Sequence, residues 1–357
     1  MLKIFRDAPP VVNVVAGQNA TLDLDVGWRY HAVRLIATVT KTAATANPVV
    51  EPTLAEALGL ITAMVNSDPK RAHLATELNA IQTKWSSKLA AQLYSKTAND
   101  LVTTVNDVVG GGNTARTSTW VIDVWLSEPS RDSYTARQAF AWPTSWNNAA
   151  IGGYPANYTA NISLQIGVPS DASLSNQAVR AEMMVDTIKG PVVDTNLATL
   201  LANAGINPPP LGTPIMPVTH FYRFPEDYSS TALAIRKWPF TGGSIQELDL
   251  FCQVGDDVAK YQVLTDNAIK RNTSKASNDM ENVAWGWNSA YGAGTAGINY
   301  LSADLLAIAF DFDDDPGSAL STATFGTLEL DLTLTAASAA NKSITFLAQV
   351  YRNALLL

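Results

Sequence analysis

The sequence holds one cysteine, Cys252, and three histidines, His31, His73 and His220, in 357 residues. One thiol cannot close an intrachain disulfide or build a thiolate metal cluster, and it suits assembly in a reducing cytoplasm. The histidines lie on segments far apart and bring no HExxH, HxH or GxSxG pattern with them, so each reads as a structural or surface residue. Charge is scarce as well: 16% of residues are Asp, Glu, Lys or Arg, with a formal net charge of -8. Such a surface lacks the clustered Lys and Arg that a phosphate backbone demands, and no direct nucleic-acid binding is expected. No apolar run reaches the roughly 18 residues of a membrane span. The opening MLKIFRDAPP is broken by Arg6, Asp7, Pro9 and Pro10 before a signal-peptide core can form, and the expectation is a soluble chain made in the cytoplasm.

What the sequence does have is hydrophobic residues, 47% of the total, arranged with a period of two. Leu22, Leu24 and Val26 alternate with Asp23 and Asp25. Val33, Leu35, Ala37 and Val39 follow beyond Gly27; then come Trp120, Ile122, Val124 and Leu126, and later Ile162, Leu164, Ile166 and Val168. In the second half the same pattern runs through Leu248, Leu250, Cys252 and Val254, then Ala259, Tyr261 and Val263. It continues in Leu306, Ile308, Phe310 and Phe312, in Leu328 to Leu334, and in Ile344, Phe346, Ala348 and Val350. Alternation of this kind marks strands with one buried and one wet face. Strands without regularly interleaved helices point to an all-β chain of antiparallel sandwiches carrying helical insertions.

Helical spacing interrupts the strands. Leu74, Leu78, Ile81, Trp85, Leu89 and Leu93 recur at three and four, a stripe that packs either on its own sandwich or against another subunit. Residues 52–64 read as a shorter helix before it, and Asp68-Pro69 as the start of the long one. The whole of 51–112 is expected as a helical decoration outside the sandwich strands. Residues 170–188 and 194–204 also read as helices, the latter ending at Gly205. Pro208, Pro209, Pro210, Pro214 and Pro217 then crowd one short span that fits neither helix nor sheet, so it reads as a stiff linker. The domain boundary is placed there, giving 1–212 with the 51–112 insertion, and 213–357.

Few motifs carry chemistry. Gly292, Gly294 and Gly297 match GxGxxG in letters, but the aromatic, turn-like WGWNSAY before them supplies no strand of a βαβ unit. Glu247 and Asp249 are paired carboxylates on one strand and read as its solvent face rather than as a glycosidase pair. Asp313, Asp314 and Asp315 close a strand with hard oxygen ligands at a density suited to calcium. The EF-hand pattern fails there, with Pro316 where Gly is needed and Thr322 where Glu is needed, and a solvated turn is the other reading. Trp28, Trp120, Trp125, Trp142, Trp146, Trp285 and Trp287 serve either core packing or, in a carbohydrate-binding sandwich, a sugar platform. No catalytic or cofactor site emerges, and the chain is not expected to be an enzyme.

The order of these elements resembles a known family. PPVVNVVAGQNATLDLDVGWRYHAVRLIATVT is similar to the start of corticovirus major capsid proteins. THFYRFPEDYSSTALAIRKWPF resembles that family's basic-aromatic entry into its second sandwich, IQELDLFCQVGDDVAKYQVLTDNAIKR the strands after it, and ITFLAQVYRNALLL its last strand. The 51–112 segment departs from that family and leaves room for a tectivirus relative. The resemblance implies two tandem jelly-roll β-sandwiches, a double jelly roll, in the major capsid protein of a membrane-containing icosahedral phage. It implies homotrimers forming pseudo-hexagonal capsomers, with neighbouring capsomers, penton and minor capsid proteins and a nearby internal viral membrane as partners. It implies a place in the virion and, since corticovirus shells depend on calcium, a metal role for Asp313–Asp315. The alternative class is a carbohydrate-binding β-sandwich, such as a receptor-binding spike or lectin-like module.

Overall fold

The computed structural model describes residues 3–42, 51–85, 92–95, 115–127, 142–147, 157–186, 192–193, 217–252, 258–266, 268–284, 305–310, 319–322, 327–335 and 342–353. The chain opens with strands Lys3–Asp7 (β1), Asn19–Asp23 (β2) and Arg29–Thr42 (β3), a short helix Leu54–Ala57 (α1), and strands Leu60–Val65 (β4) and Asp68–Leu74 (β5). Helix Ala75–Trp85 (α2) is followed by Gln92–Ser95 (β6), Ala115–Trp125 (β7), Trp142–Pro143 (β8), Ser145–Asn147 (β9), Asn157–Thr159 (β10), Ile162–Gly167 (β11), Leu174–Asp186 (β12) and Val192–Val193 (β13). The second half contains Pro217–Tyr228 (β14), Ala232–Ile235 (β15), Ser244–Cys252 (β16), Val258–Thr265 (β17) and Ala268–Ser274 (β18). Helix Lys275–Ala284 (α3) precedes Leu305–Ala309 (β19), Leu320–Ser321 (β20), Leu328–Leu334 (β21) and Lys342–Asn353 (β22).

Strand order makes the second half a jelly roll. Numbered from one to eight along the chain and leaving out β20, its strands fall into one sheet ordered 6-3-8-1 (β19-β16-β22-β14) and another ordered 2-7-4-5 (β15-β21-β17-β18). That interleaving of first with last and second with next-to-last is how a jelly roll folds a long antiparallel ribbon over itself. The first half packs β2, β11, β4 and β5 against a sheet ordered β1-β12-β3-β7-β6. Each half has its own core. One joins Leu22, Val33, Leu35, Ile61, Ile122, Val124, Leu164 and Met183. The other joins Leu248, Leu250, Tyr261, Leu306, Ile308, Leu332, Phe346 and Val350. The two inner sheets are continuous edge to edge, because β14 lies parallel to β5 with Phe221 opposite Arg71, giving nine strands in all among the described residues.

Three helical expectations give way to strands. Residues 52–64 form only the four-residue α1, held by a capping box between Thr53 and Glu56, before the chain turns into β4. Asp68-Pro69 begins β5 rather than a helix; Asn66 and Ser67, both at positive φ, make the tight turn that joins β4 to β5. Such two-residue turns match the strand twist, and Asn tolerates the left-handed region well. Within 170–188, Leu174–Asp186 form β12, whose Ala181, Met183 and Val185 alternate into the core against β3. The 51–112 segment is therefore not a decoration: β4 and β5 are members of the long sheet, and Ile61, Ala63 and Val65 are core residues. The linker prolines before Pro217, the expected boundary near 212 and the 194–204 helix lie outside the described residues.

Candidate functional site: the seam between the two sandwiches

Strands β22 and β16, with β14 around Thr219–Phe221, have two buried faces. Leu248 and Leu250 point into the core of the second sandwich, while Glu247 and Asp249, on the opposite face, are 1% and 0% exposed. A register shift between Ile245 and Glu247 explains how Ile245 and Leu248, three apart, share one face; an extra residue in one strand changes the phase of the alternation. What covers the second face is α2, contributed by the first sandwich. Leu78 of this helix enters its own core, whereas Ile81 packs with Phe221 and Leu347 from β14 and β22.

Charged groups stitch the same contact. At the start of α2, the Glu77 carboxylate accepts from Arg223 Nε at 3.0 and 3.1 Å and from the Leu74 backbone N–H at 2.7 Å. At its end, Lys84 is fully buried, donates to Asp249 Oδ1 at 2.9 Å, and is ion-paired with Glu247. Gln349 Nε2 donates to the other Asp249 oxygen at 2.8 Å. Glu77, Ile81 and Lys84 are spaced at four and three, so all project from one helix face. Removal from water pushes the Lys84 amine below the ordinary lysine range, against the opposing pull of Asp249. Beneath the helix, Arg71 of β5 donates from Nε to the Thr219 carbonyl at 3.0 Å and from Nη1 to the Trp125 carbonyl, and its guanidinium lies 4.7 Å from the Phe221 ring centre.

The reading of Glu247 and Asp249 as a solvent face is thereby corrected: the polar face is the interior of an interdomain contact. The stripe containing Leu78 and Ile81 serves both its own core and the neighbouring sandwich. The histidines are distributed along this architecture rather than gathered into a catalytic group. His31 Nε2 lies 2.8 Å from Asp186 Oδ1, both buried. His73 packs edge-on against Phe221, and His220 stacks on Tyr222. Among the tryptophans, Trp28 and Trp142 are buried, while Trp285 and Trp287 lie outside the described residues. Asp313, Asp314 and Asp315, and the Gly292–Gly297 run, also lie outside them. Among the described residues, no group of three or more His, Cys, Asp or Glu side chains converges in a way that could hold a metal ion.

Two sandwiches in tandem, one of them a complete jelly roll by strand order, joined through one sheet and a helix, define the double jelly-roll class. Solved structures with this fold align to the chain almost end to end. The major capsid protein P2 from bacteriophage PM2 aligns with a TM-score of 0.59 at 13% identity, covering 99% of this chain and 98% of that one. The major capsid protein of Sulfolobus turreted icosahedral virus gives 0.59 at 12%, covering 99% and 98%. PBCV-1 VP54 gives 0.57 at 9%, covering 98% and 93%. No family model and no curated protein sequence matches the chain.

Proposed function

We propose that this chain is the major capsid protein of an icosahedral virus with an internal membrane, a structural subunit without catalytic activity. The observation that carries the reading is the end-to-end alignment with viral coat proteins over both sandwiches, rather than over one generic β-sandwich. Three chains then supply six sandwiches around one axis, the pseudo-hexagonal capsomer, and heterologous contacts that close after three steps give a ring instead of a filament. Residues 1–212 and 213–357 form the two rolls, joined by the proline-rich link. Partners are neighbouring capsomers, penton and minor capsid proteins and the nearby membrane, and the acidic surface leaves assembly independent of nucleic acid. Asp313, Asp314 and Asp315 are proposed to bind calcium between capsomers, relieving their mutual repulsion.

The test is the oligomeric state of the purified chain by light scattering over a range of salt, with negative-stain images of the same sample. Uniform hexagonal trimers without nucleic acid are expected. Compact monomers throughout would favour the carbohydrate-binding reading instead. For calcium, chelation is expected to lower the melting temperature of the native trimer and to leave the triple Asp313→Asn, Asp314→Asn, Asp315→Asn variant unaffected.

A further inference from the structure

The group formed by Lys84, Glu247 and Asp249 is unlike an ordinary surface ion pair. All three side chains are 0–1% exposed. They come from different sandwiches, Lys84 from α2 and the two carboxyls from adjacent same-face positions of β16. The set holds two carboxyls for one amine. Taking such charges out of water costs about as much as their attraction returns. A buried lysine, unlike an arginine, can escape that cost by giving up its proton. The contrast is present in the molecule: Arg71 and Arg223, which also reach across the seam, keep permanently charged guanidinium groups, and Arg223 remains partly exposed.

We propose that Lys84 and Glu247 are joined by an intramolecular amide bond, formed after folding by the chain's own residues. The proton of the Lys84 ammonium passes to a carboxylate of the set, leaving a neutral amine beside a carboxylic acid. The Lys84 nitrogen lone pair attacks Cδ of Glu247. Asp249 takes the second amine proton and returns it to the departing hydroxyl, so that one C–N bond forms, one C–O bond breaks and one water leaves. Nothing is oxidised or reduced and no other reactant is consumed. Asp249 is suited to the shuttle because one of its oxygens meets Lys84 at 2.9 Å while Gln349 holds the other at 2.8 Å. Burial pushes the Lys84 amine toward the neutral, nucleophilic form. The dry surroundings disfavour hydrolysis of the product, and an amide replaces two desolvated charges with a neutral group. The bond would tie the first sandwich to the second independently of the sheet.

Denaturing intact-mass spectrometry of the full-length folded protein decides it without any variant. The expected chain is lighter by one water than its sequence requires, and digestion yields one branched peptide in which Lys84 is joined to Glu247. Lys84→Arg and Glu247→Ala are expected at full mass, and Asp249→Asn at full mass or at a much slower loss of water. A wild-type chain of full mass, shown to be folded by circular dichroism, overturns the proposal. So does a lost water that maps to a cyclised Asp or Asn elsewhere, and a branch through Asp249 overturns the choice of Glu247.

Discussion

His73 shows how a single side chain at the seam makes stability depend on pH. It is buried, and neither ring nitrogen has a hydrogen-bond partner among the described residues. Burial first, and then the charge of Arg71, push its pKa from 6.5 down to about 3. The folded chain therefore holds this imidazole neutral while the unfolded chain protonates it below pH 6.5. Stability is full above that value and falls as pH drops toward about 3, by about 1.4 kcal/mol per pH unit from this group. Replacing His73 with Leu is expected to flatten that limb: urea midpoints at about pH 7 and about pH 5 should differ less for His73→Leu than for the wild type. Arg71 is a second residue with a predictable cost. Changing it to Ala strips the Thr219 and Trp125 carbonyls of a charged donor inside the seam, a loss of about 3 kcal/mol measurable in the same assay.

At the scale of elements, α2 is the part that ties the first sandwich to the second. Ile81→Ala empties a site shared by Phe221 and Leu347, and a loss of about 2–5 kcal/mol is expected in chemical denaturation. Replacing 51–112 with a short Gly-Ser link should abolish the β signal in circular dichroism, since it deletes β4 and β5 from the long sheet. An intact spectrum would show that the sheet closes without them. The regular strands were legible because their alternation is strict: β3, β7, β11, β21 and β22 all lie where period two places them. β12 was not, because Ala, Glu and Met favour helix locally, and pairing along β3 and β1 overrides that preference. β4 was hidden by the Leu-Ala-Glu-Ala-Leu run before it. Of the seam, the sequence shows only the helical stripe through Ile81, without the surface it packs on. Glu247 and Asp249 carry the pattern of a solvated face, and only the arrival of a helix from distant sequence makes that face an interior.

Over the whole molecule, the two sandwiches share a sheet and bury polar and charged groups between them, so they are expected to unfold together. Scanning calorimetry of the full chain should show one transition, and two well-separated transitions would show that the seam is energetically weak. The reason lies in what separation exposes: either half on its own would present β5 or β14 as an open edge, with the seam's charges uncovered.

The junction between β5 and β14 also has a mechanical consequence. Among the described residues its ladder has one registered pair, Phe221 opposite Arg71, whereas α2 lies across the join and grips β14, β22 and β16 through Glu77, Ile81 and Lys84. A pull that parts the two sandwiches would open such a narrow joint like a tear along a perforation. The helix is a rivet set across that tear, so the load moves from one strand pair to several, and the force needed to part the halves is set by the rivet rather than by the seam it spans.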